Sequence, residues 1–322
     1  MTNKKSPKIV LITSGARSVA HYFAELPGEP VGIIDWRNQA EEPSSFLPNN
    51  KLIKRCYAKI RNRQYASLEH LCDSNNLAYA NIYKRDLDNL RATLTRWECD
   101  LVITSQCSFV PLAALPVLTH GAINLHPSWL PDYRGAEPHL WHVVDNQECL
   151  AASIHRLTDE YDRGAILLQN KTQRPNGASK SKLSHITETV LGRELLENAI
   201  DLLINNPMHN GSEQPSESAT PYAHRKTPDA FAETHPIESF NAQTVWDLLH
   251  YFGYCPKTWL GLSGWRNKIQ WRPVQLHDRK MNLGSTPWTS SSTGASVFLH
   301  SENNTIELKP KFKSLHRLLR NS

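Results

Sequence analysis

Residues 121–135 read Gly-Ala-Ile-Asn-Leu-His-Pro-Ser-Trp-Leu-Pro-Asp-Tyr-Arg-Gly. The apolar start of this run is strand-like, so Asn124 and His126, two positions apart, point to the same side of a sheet. They arrive at the C-terminal end of the strand, where open α/β sheets bind ligands, and a Pro- and Gly-bearing loop follows at once. Asp162 lies 36 residues beyond His126, inside Leu-Thr-Asp-Glu-Tyr-Asp-Arg-Gly at 157–164. A carboxamide N–H and an imidazole can both donate to an oxygen that is gaining negative charge. A carboxylate can hold an imidazole in its useful protonation state, or relay a proton through water. The plainer reading makes His126 a satisfied strand histidine and Asp162 a turn residue.

The elements that must position this trio can be read from periodicity. Residues 8–12 (Lys-Ile-Val-Leu-Ile) form a short apolar run ended by Thr13, Ser14 and Gly15, as expected of a buried parallel strand. A helix over 18–26 and a strand over 31–34 with Asp35 at its end complete a βαβ unit. Ser67 caps an expected helix to Asn75, and Leu87, Leu90, Leu94 and Trp97 mark another. Residues 100–104 and 122–125 are further buried strands, and 187–204 is an amphipathic helix. This alternation predicts an α/β fold, a doubly wound and mostly parallel sheet, over 1–204. The polar stretch 205–218, with Pro207, Gly211 and Pro215, reads as a linker. Residues 219–322 read as a smaller C-terminal β-rich domain, whose clustered tryptophans could stack on a base but are expected to fill its core.

Composition removes several classes of function. The chain has 322 residues, of which 39% are apolar and 21% charged, which suits globular domains rather than disorder. No apolar run approaches the ~20 residues of a membrane span, and the polar start does not resemble a signal peptide, so no membrane partner and a cytoplasmic location are expected. A net charge of +5 favours anionic substrates but is low for a dedicated nucleic-acid binder. Six cysteines without a C-x-x-C pair read as reduced packing residues, Cys107 among them. His139, His142 and His155 lack a carboxylate or cysteine at a recognised ligand spacing, so no metal is expected. Residues 51–63 are basic and read as a solvated helix face, or as a patch that steers anions.

The joint pattern Asn124, His126, Pro127, Ser128, Leu130, Pro131, Tyr133, Arg134, Gly135, then Asp159, Glu160, Asp162 and Gly164 resembles the N10-formyltetrahydrofolate-dependent formyltransferases. The resemblance covers roughly residues 8–204, and the C-terminal part only in outline. It implies that Asn124, His126 and Asp162 are the catalytic set and that N10-formyltetrahydrofolate is the cosubstrate. Pro111 matches the family's proline, which implies one wall of the folate site at Ser108, Phe109 and Val110; Asp159, Glu160, Tyr161 and Asp162 would form the other.

Three acceptors fit the family: a nucleotide-linked amino sugar, the aminoacyl end of initiator tRNA, and a small amine such as hydroxyornithine. The opening Ser14-Gly15-Ala16-Arg17 departs from the Gly-Thr-Pro loop typical of tRNA-formylating members, while the basic run at 51–63 and the basic tail keep tRNA open. The 31–35 layout and the Thr-Pro-Tyr-Ala-His-Arg-Lys-Thr-Pro segment at 220–228 look more like the sugar N-formyltransferases of polysaccharide biosynthesis. Under that reading Tyr222 and Arg225 would stack a base and pair with diphosphate; the alternative is an ordinary domain-junction strand. Ser14 and Arg17, at a helix start, would meet substrate phosphate. The nucleotide-sugar acceptor is preferred, with a homodimer compatible with the resemblance. A formyl-folate hydrolase, which would keep the same trio, is the reading from another class.

Overall fold

The computed structural model describes residues 6–14, 18–37, 67–218, 220–262, 270–278, 288–293, 296–301 and 304–311. Arg17, the polar stretch at 38–50, the basic run at 51–63 and the tail beyond 311 lie outside the described residues. The chain forms two compact units: 1–135, 150–172 and 184–222 make the first, and 136–149, 173–183 and 223–322 the second.

The large sheet runs through β1 (Lys8–Thr13), β2 (Glu29–Arg37), β3 (Ala78–Tyr83), β4 (Leu101–Ser105), β5 (Gly121–His126), β6 (Cys149–Arg156) and β7 (Ile166–Gln173). Its order is β3-β2-β1-β4-β5-β6-β7. The first five strands pair in parallel, and β6 runs antiparallel to β5. The sheet is therefore mixed and mostly parallel, as the alternation predicts. Its central strands β1, β2, β4 and β5 bury apolar residues on both faces because both are covered. Ile9, Leu11, Ile33, Ile103, Ile123 and Leu125 pack with Leu68 and Leu71 on one side and with Leu195, Leu196 and Leu203 on the same side. Val10, Ile12, Ile34, Val102 and Ala122 pack on the other side with Leu90 and Leu94. Truncating Leu125 to Ala would open a hole beneath β5 and cost roughly 2–5 kcal/mol.

The expected helix at 18–26 is a helix Val19–Tyr22 followed by a 3₁₀ turn Phe23–Glu25. Helix Leu68–Ser74 starts where expected, with Ser67 Oγ accepting from His70 N at 3.1 Å. The helix expected from residue 187 begins instead as a π-helical turn, His185–Val190, before the α-helix Leu191–Asn205. Strand β3 is not evident in the sequence: it is a sheet edge whose residues are mostly half-buried or exposed, so neither a continuous apolar run nor a clean alternation marks it.

The second unit combines helices Pro138–Val144, Pro228–Thr234, Ala242–Phe252 and Lys257–Leu260 with a four-stranded antiparallel sheet. Its strands are β8 (Trp271–Asp278), β9 (Thr289–Thr293), β10 (Ser296–His300) and β11 (Asn304–Pro310), in the order β8-β11-β10-β9. Phe231 is its aromatic hub, with Trp141, His235, Phe240, Phe252 and Trp259 around it. Trp259 and Trp271 are buried, in the core role expected for the tryptophans.

The division is not contiguous as composition suggests. Segment 205–218 belongs to the first unit, sewn down by groups far away in sequence. Ser212 and Ile166 exchange backbone hydrogen bonds at 2.8 Å each way. The Arg156 guanidinium donates to the carbonyls of Pro207 and His209. Proline and glycine report local backbone preference, and say nothing of such long-range partners.

Candidate active site

Asn124 and His126 stand on β5 and share a face of the sheet with Thr104 of β4, because Thr104 and Asn124 are paired across the strands. Thr104 Oγ1 donates to Asn124 Oδ1 at 2.8 Å. On the opposite flank, His155 of β6 pairs with Asn124 in the antiparallel register. The tautomer of His155 follows from its partners: Nδ1 lies 2.8 Å from the Arg156 carbonyl, which only accepts, so Nδ1 carries the proton. Nε2 then accepts from Asn124 Nδ2 at 3.0 Å. The carboxamide is thus clamped at its oxygen and at one N–H, and its other N–H has no partner among the described residues.

His126 is treated the same way. Its Nε2 lies 3.0 Å from the Tyr133 carbonyl and must donate to it. In the neutral ring Nδ1 is therefore a lone pair, and it faces Asp162 Oδ1 at 3.6 Å. A lone pair and an ionised carboxylate oxygen repel at that separation, so a proton arriving on Nδ1 converts repulsion into an ion pair. Burial pushes His126 below its usual 6.5, Asp162 pulls it up, and His155 pushes it down again, with a lowered value as the result. The ring is accordingly neutral at pH 7 and able to accept a proton.

Asp162 is held on both oxygens. Oδ2 accepts from Gly135 N at 2.8 Å, while Oδ1 lies between His126 Nδ1 and His155 Nε2, 3.7 Å from the latter. Burial alone would raise its carboxyl; His126 and then His155 outweigh that and bring it from 3.8 to about 2. Its φ of +53° and that of Tyr133 at +56° put both residues in the left-handed region. Two non-glycine residues in that region, each touching His126, are backbone strain concentrated at one site. Gly164, two residues on, is there for space: a Cβ would come within 1.8 Å of the Arg156 carbonyl oxygen.

The other expected residues divide. Phe109 and Tyr161 do come together, their rings 4.9 Å apart, and Asp159 Oδ1 accepts from Leu112 N at 2.9 Å, so the two expected walls meet. Val110 is buried; Glu160 is exposed and pairs with Arg163. Ser108 Oγ is buried and has no hydrogen-bond partner among the described residues. Tyr222 lies against Tyr161, ring centres 6.3 Å apart. Ser14 gives its hydroxyl proton to the Trp36 carbonyl at 2.6 Å and so has none for a phosphate. Arg225 belongs to the second unit, where its Nε donates to Glu137 at 3.1 Å. Glu137 also takes Tyr251 and Lys180, so Arg225 serves a buried carboxylate there. Burial pushes the Cys107 thiol up to about 12, consistent with a packing residue. His155 is a site residue that sequence reasoning missed, because only the β5–β6 register brings it to Asn124.

Residues 53–197 match the family model described as formyl transferase. The GDP-perosamine N-formyltransferase of Brucella melitensis is 37% identical over 73 residues, which cover 22% of this chain and 28% of that protein. The methionyl-tRNA formyltransferase of Bacteroides thetaiotaomicron is 24% identical over 197 residues, 61% of this chain and 60% of that protein. The chain therefore spans less than two thirds of the length of either relative. Among solved structures, WlaRD, a sugar 3N-formyl transferase, superposes with a TM-score of 0.56 at 12% identity, covering 95% of this chain and 98% of that one, a likeness of fold.

Proposed function

Because residues 53–197 belong to the formyl transferase family, we propose that this protein moves a formyl group from N10-formyltetrahydrofolate to the amine of a nucleotide-linked amino sugar. The observation that carries the transfer chemistry is the convergence of Asn124, His126 and Asp162 at the C-terminal end of β5. Transfer of an acyl group to an amine passes through a tetrahedral oxyanion, and the attacking nitrogen must lose a proton. Asn124 offers its unpartnered N–H to that oxygen, with the carboxamide already oriented by Thr104 and His155. His126 takes the proton on Nδ1, and Asp162 stabilises the imidazolium formed. The same ring returns the proton to the departing folate nitrogen, so the enzyme ends as it began.

The residues present suit the cosubstrate. The Phe109–Tyr161 pair offers flat apolar surface to a fused ring, and the orphaned Ser108 Oγ offers a hydrogen bond. The sugar acceptor is supported by the Brucella relative, by the segment around Tyr222 and by the departure of residues 14–17 from the loop of tRNA-formylating enzymes. The longer alignment with a methionyl-tRNA formyltransferase keeps tRNA as the second reading.

One competition assay read by mass spectrometry tests this. The protein meets N10-formyltetrahydrofolate with UDP-, GDP- and dTDP-amino sugars, hydroxyornithine and charged initiator tRNA. A formyl mass on a nucleotide sugar is expected. Formyl on tRNA or hydroxyornithine would keep the chemistry and replace the acceptor, and free formate alone would make the protein a hydrolase.

A further inference from the structure

Segment 205–218 passes over the two loops that supply the backbone of the site, and one side chain in it touches both. Gln214 Oε1 accepts from Arg134 Nε at 3.1 Å and from Arg134 Nη2 at 2.8 Å. Its Nε2 donates to the carbonyls of Asp162 at 2.9 Å and Gly164 at 2.7 Å. The amide orientation follows from chemistry, since guanidinium only donates and carbonyls only accept. Every hydrogen of the carboxamide is used, and the loops it joins bear directly on His126. Arg134 lies between Tyr133, whose carbonyl fixes the His126 ring, and Gly135, whose N–H holds Asp162 Oδ2. Asp162 itself holds the left-handed backbone that aims its carboxylate, and Gly164 follows two residues on.

We infer that Gln214 is a positioning residue for the proton-accepting pair: it sets the separation of His126 Nδ1 and Asp162 Oδ1 by tying the 133–135 loop to the 162–164 loop. The residue touches no reacting atom and acts through the backbone of its partners. The remaining contacts of the segment support this placement. Arg134 Nη2 also donates to the Pro215 carbonyl at 2.9 Å and Arg163 Nη1 donates to the Ser216 carbonyl at 3.0 Å, and just beyond the segment Thr220 Oγ1 accepts from Tyr133 N at 2.6 Å. These hold the strap in place; beside the direct Gly135 N–Asp162 Oδ2 bond, the Gln214 side chain ties the loops by bonding a side chain of one and two carbonyls of the other. A carboxylate displaced by about 1 Å from its base can cost on the order of 100-fold in rate.

The kinetic part of the test rests on the formyl-transfer reading, so an activity-independent part accompanies it. Gln214→Met keeps shape and removes all four hydrogen bonds; Gln214→Glu keeps the two from Arg134 and removes the two to the carbonyls. The expectation for Gln214→Met is a kcat lower by about 100-fold, with KM for the formyl donor within about threefold and unchanged far-ultraviolet circular dichroism. Gln214→Glu should remain low in kcat, because the carbonyl bonds are the ones that aim Asp162. By ring-nitrogen NMR, the titration midpoint of His126 should move to lower pH in Gln214→Met, because the carboxylate facing it retreats while the other groups around it (His155, Arg134 and the Tyr133 carbonyl) stay. Wild-type kcat in folded Gln214→Met, restoration by Gln214→Glu, or an unmoved His126 midpoint would each overturn the assignment, as would failure of both variants to fold. A wild-type protein that transfers no formyl group, yet shows the NMR shift, would sink the functional reading and leave this one standing.

Discussion

Replacing Asp162 by Asn isolates the charge of that residue from its shape. Asparagine keeps an oxygen for the Gly135 N–H, so the 2.8 Å bond that closes the two loops survives and the backbone should stay in place. What disappears is the negative charge 3.6 Å from His126 Nδ1. At an effective dielectric near 20, two unit charges at that distance interact by about 5 kcal/mol, so imidazolium formation becomes harder by roughly three orders of magnitude. A second effect has the same sign. His126 Nε2–H is committed to Tyr133, so the only ring atom left to accept the amine proton is Nδ1, and an asparagine N–H would point at that lone pair. Rapid-quench single-turnover transfer with a saturating formyl donor is the appropriate assay, because product release then drops out of the rate. A folded Asp162→Asn protein within tenfold of wild type would refute the claim that Asp162 stabilises a proton on His126.

Four further outcomes follow from the same geometry. Asn124→Leu leaves Thr104 and His155 without their partner and removes the oxyanion donor, so single-turnover rates should fall by about 100- to 1000-fold with a smaller change in KM; an unchanged rate would remove Asn124 from the mechanism. His155→Gln, whose amide oxygen can still accept from Asn124, should retain more kcat than His155→Leu, and equal rates would show that orientation of the carboxamide is not what His155 supplies. The Asp162 carboxyl is lowered from 3.8 to about 2 in the folded state, worth about 2 kcal/mol of stability; because the folded value is the lower one, this is present above about pH 4 and lost as pH falls toward 2. Urea unfolding at pH 6 and pH 3 should therefore show the gap between wild type and Asp162→Asn shrinking at the lower pH, and a constant gap would contradict the lowered carboxyl. Formyl transfer should survive overnight treatment with a chelator, and a loss restored by zinc would contradict the expectation that no metal is needed.

What was legible in the sequence and what was not separates along a physical line. Asn124 and His126 could be paired from their spacing alone because a strand has a period of two, and the apolar runs of β1, β4 and β5 announce strands buried on both faces. Asp162 was recoverable only as part of a longer pattern, since nothing in its own neighbourhood says that a turn 36 residues away will meet His126. His155 and Gln214 were not recoverable at all. His155 needs the antiparallel register of β6 on β5, and a slip of one residue would have turned it to the opposite face. Gln214 sits among Pro, Ser and Glu, a composition that predicts a linker whether or not something holds it; what holds it is Arg134, itself buried and 80 positions upstream in sequence. The residues proposed to do chemistry were readable because their types are those such a reaction would require. Those that aim them use ordinary amides and carbonyls, so their identity as partners exists only once the chain has folded. Ser14 shows the converse error: its type and position suit a phosphate, but the fold gives its hydroxyl to the backbone of β2. A polar residue at a strand end is thus evidence for a site only after its protein partners are counted. By that count, among the described residues, Asn124 keeps a free donor, Ser108 keeps an unsatisfied oxygen, and Ser14 keeps no proton to give.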